Sequence, residues 1–321
     1  MLSYLLISII LFTAEIGYFS IANRFNIIDQ PNHRSSHTSI TIRGGGIIFF
    51  LAVLAWFIGY GFNYTYFMIG LAAITIISFL DDVLTLNNKI RLGVHLTAVL
   101  MLFMQWDLFE LQWYWLIIAG IFVIATINAY NFMDGINGIT GSYSLLTIGT
   151  LFYINEFVVP FTSVELLVIV GISLLIFNFF NFRKKAKCFA GDVGSVSISF
   201  ILIFLIGQLI LKTHNFAYIL LLLVYGLDTA ITVFFRKIRK ENIFEAHRSH
   251  FYQYLANQLK YGHLLVSLLY FTVQLVINMI VITMLGDSIL YTVIFFLLSI
   301  CFFLWLRFSI EGKNRLLQPQ N

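Results

Sequence analysis

The strongest chemical signal in the chain is a polar stretch, NAYNFMDGINGI at residues 128–139, which interrupts an otherwise apolar sequence. Its Asn128, Asn131, Asp134 and Asn137 follow one another at intervals of three. In a helix, that interval places neighbouring side chains along one face. Amide groups beside a single carboxylate suit the hydroxyls of a sugar, the edge of a uracil ring or the surroundings of a metal ion. A purely structural polar network between helices is the alternative.

Two adjacent carboxylates, Asp81 and Asp82, end a long apolar run and are followed by Lys89 and Arg91. Adjacent carboxylates repel each other, and they are costly near hydrocarbon unless a cation or another partner is present. Many isoprenoid enzymes use such pairs for magnesium, so the pair alone does not select a reaction. The simpler interpretation is a helix end that faces water.

The first polar loop contains Arg34, His37 and Arg43 and ends in three glycines at 44–46. Cationic side chains, together with the backbone N–H groups of a glycine run ahead of a helix, can hold phosphate. The alternative is an ordinary basic loop whose glycines permit a tight turn.

Asp192, in the segment GDVGS at 191–195, stands where a new helix is predicted to begin after the basic run 183–187. An aspartate at this position is a good helix N-cap. A carboxylate here can also bind magnesium together with a substrate phosphate, because this ion prefers oxygen ligands. The sequence leaves both interpretations open.

His247 and His250 lie three residues apart on either side of Arg248. A helical loop would therefore present both histidines on one side. Two histidines with an aspartate suggest a zinc site. The intervening Arg248 and the oxygen ligands in the other segments favour contacts with phosphate instead.

Composition determines the class of protein in which these segments are arranged. The 321 residues are 60% hydrophobic and only 11% charged, which is typical of a polytopic membrane protein. Runs of roughly 20 apolar residues cross a bilayer. They predict an all-α bundle of ten or eleven transmembrane helices in a single domain, residues 1–321, in which 92–105 is short enough to be partly re-entrant. The runs are 1–22, 46–62, 66–80, 92–105, 113–130, 140–155, 164–180, 194–211, 217–235, 262–284 and 289–306.

The distribution of basic residues predicts the orientation of this bundle. With the N-terminus outside, all of the 19 lysines and arginines except Lys212 fall in cytosolic segments, as the positive-inside rule requires. The five polar segments lie on the same face, which predicts a cytosolic active site. Within the apolar runs, Glu15 is expected to make an interhelical hydrogen bond, and Asp228 to line the cavity or pair with a neighbour. The cytosolic segments are the loops 23–45, 81–91, 131–139, 181–193 and 236–261 and the tail 307–321.

The order of these motifs resembles that of the polyprenyl-phosphate N-acetylhexosamine-1-phosphate transferases, glycosyltransferase family 4. The chain looks most similar to the bacterial branch of undecaprenyl-phosphate GlcNAc-1-phosphate transferases that initiates O-antigen synthesis. Asn137 stands where many relatives carry a second aspartate. The matching segments are PNHRSSH…RGGG at 31–46, FLDD at 79–82, NAYNFMDGINGI at 128–139, GDVGS at 191–195 and AHRSH at 246–250.

The resemblance implies transfer of a sugar-1-phosphate, with N-acetylhexosamine as the expected sugar, from a UDP-sugar to undecaprenyl phosphate. UMP is released, and the lipid-linked product starts a cell-surface polysaccharide, O-antigen or cell wall. The implied location is the bacterial inner membrane. The implied partners are UDP-N-acetylhexosamine, undecaprenyl phosphate and membrane lipid, without nucleic acid, and a homodimer is compatible with the family.

The resemblance also implies residue roles. Asp192 would hold Mg²⁺, or Mn²⁺ in its place, to neutralise charge on the donor diphosphate. Asp81, Asp82 and Asp134 are expected to be catalytic. A phosphate monoester has a second pKa of about 6, so an aspartate of pKa about 4 is a poor base for it, and the 81–82 pair is expected to position groups or approach the metal. The residues expected to bind substrate are Arg34, His37, Arg43, Asn128, Asn131, Asn137, His247, Arg248 and His250.

Two other classes of protein are alternatives. An intramembrane prenyltransferase would ionise an allylic diphosphate and release pyrophosphate, but it would usually need a second aspartate-rich motif, which residues 128–139 do not supply. A transporter of an anionic substrate would place its polar groups near the bilayer midplane, whereas most of these lie at one predicted interface.

Overall fold

The computed structural model of the chain describes residues 2–30, 40–84, 86–242 and 248–318. These residues form thirteen α-helices and one two-stranded sheet, so the predicted all-α class is confirmed. Short 3₁₀ turns cover Leu108–Glu110 and Phe216–Leu222, and π turns cover Tyr254–Gln258 and Val281–Leu285. The helices are α1 Leu2–Arg24, α2 Ile47–Gly59, α3 Thr65–Leu84, α4 Asn88–Gln105, α5 Trp113–Met133, α6 Ile139–Phe157, α7 Val164–Asn181, α8 Gly191–Thr213, α9 Leu223–Ile238, α10 Phe251–Gln253, α11 His263–Ile280, α12 Ile289–Glu311 and α13 Lys313–Leu317.

Each predicted apolar run corresponds to one long helix, and two of these helices are extended by a 3₁₀ or π turn. Within the described ranges, eight helices are long and apolar enough to cross a membrane. The other three runs are α2, α4 and α6. The 13 residues of α2 span about 20 Å, less than the hydrocarbon thickness of about 30 Å. The eight are Leu2–Arg24, Thr65–Leu84, Trp113–Met133, Val164–Asn181, Gly191–Thr213, Phe216–Ile238, His263–Leu285 and Ile289–Glu311.

Helix α8 forms the centre of the bundle, and α12 lies at its periphery. A helix that is apolar on every side is stable when other helices surround it, and α8 packs against α2, α3, α5 and α6. Its first turns contain small residues, which allow close approach. A Cβ at Gly46 would lie only 2.2 Å from the Cα of Gly194. The start of α8 is therefore held close to the start of α2.

A short sheet brings the first loop to the same place. Strand β1, Ile28–Asp29, pairs antiparallel with β2, Thr41–Ile42. Ile42 also forms a parallel bridge with Cys188. The residues just before α2 and just before α8 therefore run side by side at one end of the bundle.

Glu15 lies next to the point where these two segments meet. Its buried carboxyl group accepts a hydrogen bond from the thiol of Cys188 at 3.8 Å, so its partner is in a loop and not on another helix as expected. Burial raises the pKa of the Cys188 thiol well above its usual value, which keeps the proton on sulfur. Cys188 and Cys301 are both free thiols.

Candidate active site

The glycine run lies against the loop that precedes α8. The N–H groups of Gly45 and Gly46 donate to the carbonyl oxygens of Phe189 and Ala190, at 2.9 and 3.1 Å. These two N–H groups are thus used within the protein. The tight-turn interpretation describes Gly45 and Gly46, whose N–H groups are not available to a phosphate.

Asp82 caps α8 from a different element. Its fully buried carboxylate accepts the N–H groups of Asp192 and Val193, both at 3.0 Å. N–H groups in the first turn of a helix have no partner within the helix. The N-cap position is Ala190, so Asp192 lies inside the first turn and is not the cap. A Cβ at Gly191, where φ is +70°, would meet the Asp82 carboxylate at 2.7 Å, so this approach requires glycine.

Two arginines join three carboxylates around this helix start. Nε of Arg43 lies 2.7 Å from Oδ1 of Asp82, and its Nη2 lies 3.2 Å from Oδ1 of Asp192. Arg91 pairs with Oδ2 of Asp81 at 2.6 Å and approaches Oδ2 of Asp192 at 3.4 Å. Each oxygen of Asp192 thus faces a different guanidinium group. Three carboxylates against two guanidinium groups leave one negative charge in excess, which suits a cation.

Arg43 remains charged in this position. Burial opposes the charge of its guanidinium group, but the carboxylates of Asp82 and Asp192 outweigh that effect and raise its pKa. Its side chain is 35% exposed. A permanently cationic, partly open guanidinium group can bind the oxygens of a phosphate.

The asparagine-rich segment faces the same helix start. Oδ1 of Asn131 accepts a hydrogen bond from Oγ of Ser195, on α8, at 3.4 Å. Asp134 follows the last residue of α5. Burial raises the pKa of its carboxyl group to about 7, and the negative charges of Asp192 and Asp82 add to this shift. Asp134 therefore lies within electrostatic reach of both carboxylates.

The expected single polar face extends only to the end of α5. That helix ends at Met133, so Asn128 and Asn131 share a helix whereas Asp134 and Asn137 lie beyond it. Asn128 is exposed one turn before Asn131. The interval of three therefore describes only the first half of this segment.

Asn137 is turned towards the protein. It is buried, and its side-chain amide donates to the carbonyl oxygens of Arg183 and Lys184, at 2.8 and 3.2 Å. These contacts fasten the loop after α5 to the basic loop after α7. The structure thus gives the amide of Asn137 a supporting position.

Asp228 is fully buried in α9 and holds the segment that contains His250. Its carboxylate accepts the N–H groups of Phe251 and Tyr252, at 2.9 and 3.2 Å, and the hydroxyl of Tyr270 at 2.6 Å. Nδ1 of His250 lies 3.4 Å from the same carboxylate. Of the two expectations for Asp228, pairing with neighbours is the one observed. The His250 side chain lies in the interior beside Asp228.

Besides Arg43 and His250, four more basic candidates lie in the first and fifth polar loops. Arg34, His37 and His247 lie outside the described residues. Arg248 is partly buried, and this burial lowers the pKa of its guanidinium group.

The comparison with protein families agrees with this geometry. The model of glycosyl transferase family 4 matches residues 64–210, which contain Asp81, Asp82, Asp134 and Asp192. This matched segment of the chain is similar to glycosyl transferase family 4. The match extends from α3 through most of α8, so it contains all four carboxylates at the start of α8.

Curated relatives align over most of the length of the chain. A "Probable undecaprenyl-phosphate N-acetylglucosaminyl 1-phosphate transferase" of Bacillus subtilis is 27% identical over 257 residues, which cover 73% of this chain and 71% of the relative. The "Undecaprenyl-phosphate alpha-N-acetylglucosaminyl 1-phosphate transferase" of Escherichia coli K12 is 26% identical over 260 residues, with the same coverage of 73% and 71%. The protein of that name from Salmonella typhi is 26% identical over 261 residues, again covering 73% and 71%.

Arg91 is a member of this site that the sequence did not identify. Arg91 was assigned only to a basic loop, yet it bridges Asp81 and Asp192. Its position soon after the acidic pair was a signal, because both lie between the same two apolar runs. The bridge itself depends on how α3 packs against both α4 and α8, which the order of residues does not reveal.

The described part of the chain has no pre-built metal cage, because no three acidic, histidine or cysteine side chains there form a metal-binding group. Magnesium usually needs only one or two protein carboxylates, because substrate phosphates and water complete its shell. The partly exposed carboxylate of Asp192 fits such a shared ion. The zinc site considered for the histidine loop has no support in the described residues.

Proposed function

We propose that this protein is a member of glycosyl transferase family 4 and transfers N-acetylhexosamine-1-phosphate from a UDP-sugar to undecaprenyl phosphate, with release of UMP. The observation that carries the proposal is the convergence of Arg43, Asp82, Arg91 and Asp192 at the start of α8. These residues come from three separate polar loops. The names of the aligned relatives, which are undecaprenyl-phosphate N-acetylglucosaminyl 1-phosphate transferases, support the same reaction.

The two arginines suit a donor that carries a diphosphate. The acceptor phosphate oxygen attacks the phosphorus linked to the sugar, and the bond from that phosphorus to the UMP oxygen breaks. Negative charge is spread over phosphate oxygens during this step, and fixed cations stabilise it. Arg43 and Arg91, whose side chains are 35% and 25% exposed, are partly open to such oxygens.

Asp192 is the residue that would hold a magnesium ion, or manganese in its place. The bound ion would neutralise charge on the donor diphosphate. The carboxylate is available for this because its side chain is 16% exposed, whereas that of Asp82 is fully buried.

The structure supports a positioning role for Asp82. Both of its oxygens accept N–H groups of α8, and one also pairs with Arg43. These contacts fix the position of the carboxylate, and a lipid phosphate is already largely ionised at neutral pH without the help of a base. Asp81, paired with Arg91, is assigned to placing that guanidinium group.

The segment from Asn128 to Asp134 is assigned to the nucleotide-sugar. Asn128 is exposed and Asn131 partly so, and both carry amide groups able to donate to and accept from hydroxyls or a uracil edge. Asp134, with a pKa of about 7, exists in both protonation states near neutral pH. It can therefore accept or donate a hydrogen bond there.

The site is assigned to the cytosolic face of a bacterial inner membrane, where the product would start a surface polysaccharide. The support is the placement of every lysine and arginine except Lys212 in segments on the predicted inner side. Arg43 and Arg91 of the site belong to those segments.

The direct test uses the full-length protein in lipid nanodiscs with magnesium, undecaprenyl phosphate and a panel of UDP-sugars. We expect UMP release with at least one UDP-N-acetylhexosamine, and none when undecaprenyl phosphate is omitted. Asp192→Asn should abolish the release at ordinary magnesium concentrations. No UMP with any donor would contradict the proposal, and pyrophosphate release from an allylic diphosphate would favour a prenyltransferase.

A further inference from the structure

Tyr252 connects the histidine loop to the end of α5. Its hydroxyl donates to the carbonyl oxygen of Phe132 at 2.9 Å. Phe132 lies in the last turn of α5, where carbonyl groups have no partner within the helix. A Cβ at Gly135 would lie 2.2 Å from the Tyr252 hydroxyl oxygen. The phenol group therefore lies directly against the residue that follows Asp134.

Tyr252 is itself held in place by Asp228. One oxygen of Asp228 accepts the N–H of Tyr252, and the other accepts the N–H of Phe251. Tyr270, on α11, donates its hydroxyl to the same carboxylate. Asp228 and Tyr252 are both fully buried, where hydrogen bonds to a charged group are strong and costly to lose.

The other end of the loop after α5 is held by α11. Oγ of Ser267 donates to the carbonyl oxygen of Asn137 at 2.9 Å. The loop from Asp134 to Asn137 is thus supported at its start by Tyr252 and at its end by Ser267. Both supports lie beyond residue 210, where the family model match ends.

We propose that Tyr252, held by Asp228, is a positioning residue that sets Asn131 and Asp134 for binding of the nucleotide-sugar donor. The identity of the ligand rests on the proposed function. The hydrogen-bonded connection from Asp228 through Tyr252 to the loop after α5 does not. Tyr252 acts through the backbone of Phe132 and Gly135. A purely structural tyrosine would stabilise the fold without affecting one substrate more than the other.

The main test replaces the Tyr252 hydroxyl alone. Tyr252→Phe should make hydrogen exchange faster in residues 133–138 and weaken binding of UDP-N-acetylglucosamine about tenfold, the effect of one hydrogen bond. The KM for undecaprenyl phosphate should stay unchanged. Hydrogen exchange by mass spectrometry, isothermal titration and initial rates measure these three effects.

Tyr143→Phe is a matched control. Tyr143 is also fully buried, and its hydroxyl donates to Oε1 of Gln274 at 2.5 Å. This variant loses the same group from another part of the bundle. We expect a similar loss of thermal stability but no change in exchange at 133–138 and no change in donor affinity.

Asp228→Asn tests the order of these contacts, from Asp228 to Tyr252 and from Tyr252 to the loop after α5. It should speed exchange both in residues 249–254 and in residues 133–138, because Asp228 holds Tyr252 and Tyr252 holds the loop. Tyr252→Phe should affect the second region alone. Faster exchange in both regions of Tyr252→Phe, together with faster exchange in residues 249–254 alone of Asp228→Asn, would overturn the proposed order.

Unchanged exchange at 133–138 in Tyr252→Phe would refute the inference, whatever the activity. An equal rise in the KM of both substrates would also refute it, since that indicates a general structural effect. Failure of the proposed function is a separate outcome, because it appears as absent UMP release in the wild-type protein.

Discussion

The backbone N–H of Asp192 donates to Oδ1 of Asp82 at 3.0 Å across 110 positions of sequence. Asp82 thereby fixes the first turn of α8, and Arg43 contacts the side chains of both residues. The carboxylate proposed to hold the metal is thus oriented by a second carboxylate through the main chain. A substitution at Asp82 should therefore lower turnover by displacing the carboxylate of Asp192.

Asp82→Asn tests this relationship. The change removes the charge that pairs with Arg43 and one of the two oxygens that accept N–H groups. We expect turnover to fall about 100-fold, the effect of a misplacement of about 1 Å at a reacting centre. UDP-sugar binding should be largely retained, because the Asp82 side chain is fully buried. UMP release at saturating substrates and equilibrium binding separate the two effects, and wild-type turnover would show the assignment to be wrong.

Arg91→Gln should change metal and donor binding in opposite directions. Arg91 approaches Asp192 at 3.4 Å, so its removal leaves that carboxylate more attractive to a divalent cation. Mn²⁺ binding without nucleotide, followed by electron paramagnetic resonance, should tighten about fivefold, as expected for about 1 kcal/mol between partly screened charges. Donor binding should weaken because a phosphate-binding cation is lost.

Lys89→Gln is the control for Arg91→Gln. Lys89 is exposed in the first turn of α4, and its replacement makes the same change in net charge. We expect less than a twofold change in either affinity, because physiological salt screens most of the effect of a distant surface charge. A parallel loss of metal and donor binding in Arg91→Gln would mean that Arg91 only supports the fold.

Asp134→Asn should alter the pH dependence of stability. The folded-state pKa of Asp134 is about 7, above the value of about 3.9 in an unfolded chain. Between these values the folded protein binds more protons, so its stability falls as pH rises through this window. In magnesium-free buffer, the apparent Tm of the wild type should therefore decrease relative to Asp134→Asn between about pH 4 and about pH 7. Parallel Tm profiles would contradict the assignment.

Asn137→Asp separates a supporting role from a substrate contact. A carboxylate cannot donate to the carbonyl oxygens of Arg183 and Lys184, so two hydrogen bonds are lost and a charged side chain takes the buried position of Asn137. We expect a stability loss of about 2–3 kcal/mol, measured as a lower Tm in detergent. An unchanged Tm with a raised donor KM would instead place the Asn137 side chain at the substrate.

Hydropathy predicted the helices well because the backbone N–H and C=O groups of a long apolar run must hydrogen-bond to one another within a helix. The run predicted at 194–211 is α8, Gly191–Thr213. The pattern Asn128 to Asn137 was less informative, since a spacing of three describes one face only while the helix continues. It ends at Met133.

The partners of individual side chains could not be read from the sequence. Asp192 carried the local signal of an N-cap, but the cap comes from Asp82, on another helix. Asp228 likewise finds its partners on α10 and α11. Such contacts depend on the packing of helices that are distant in sequence, for which a single sequence contains no local pattern.

The distance in sequence between Asp82 and its cap partners has a consequence for biogenesis. At a synthesis rate of about 5–20 residues per second, the 110 residues between Asp82 and Asp192 take roughly 5–20 s to appear. Until then, the carboxylate at the end of α3 lacks the N–H groups of α8 that compensate its burial. We expect α3 to keep this end in contact with water or with Arg43 during insertion. Nascent chains stopped before α8 should therefore be recognised as unassembled by membrane quality control.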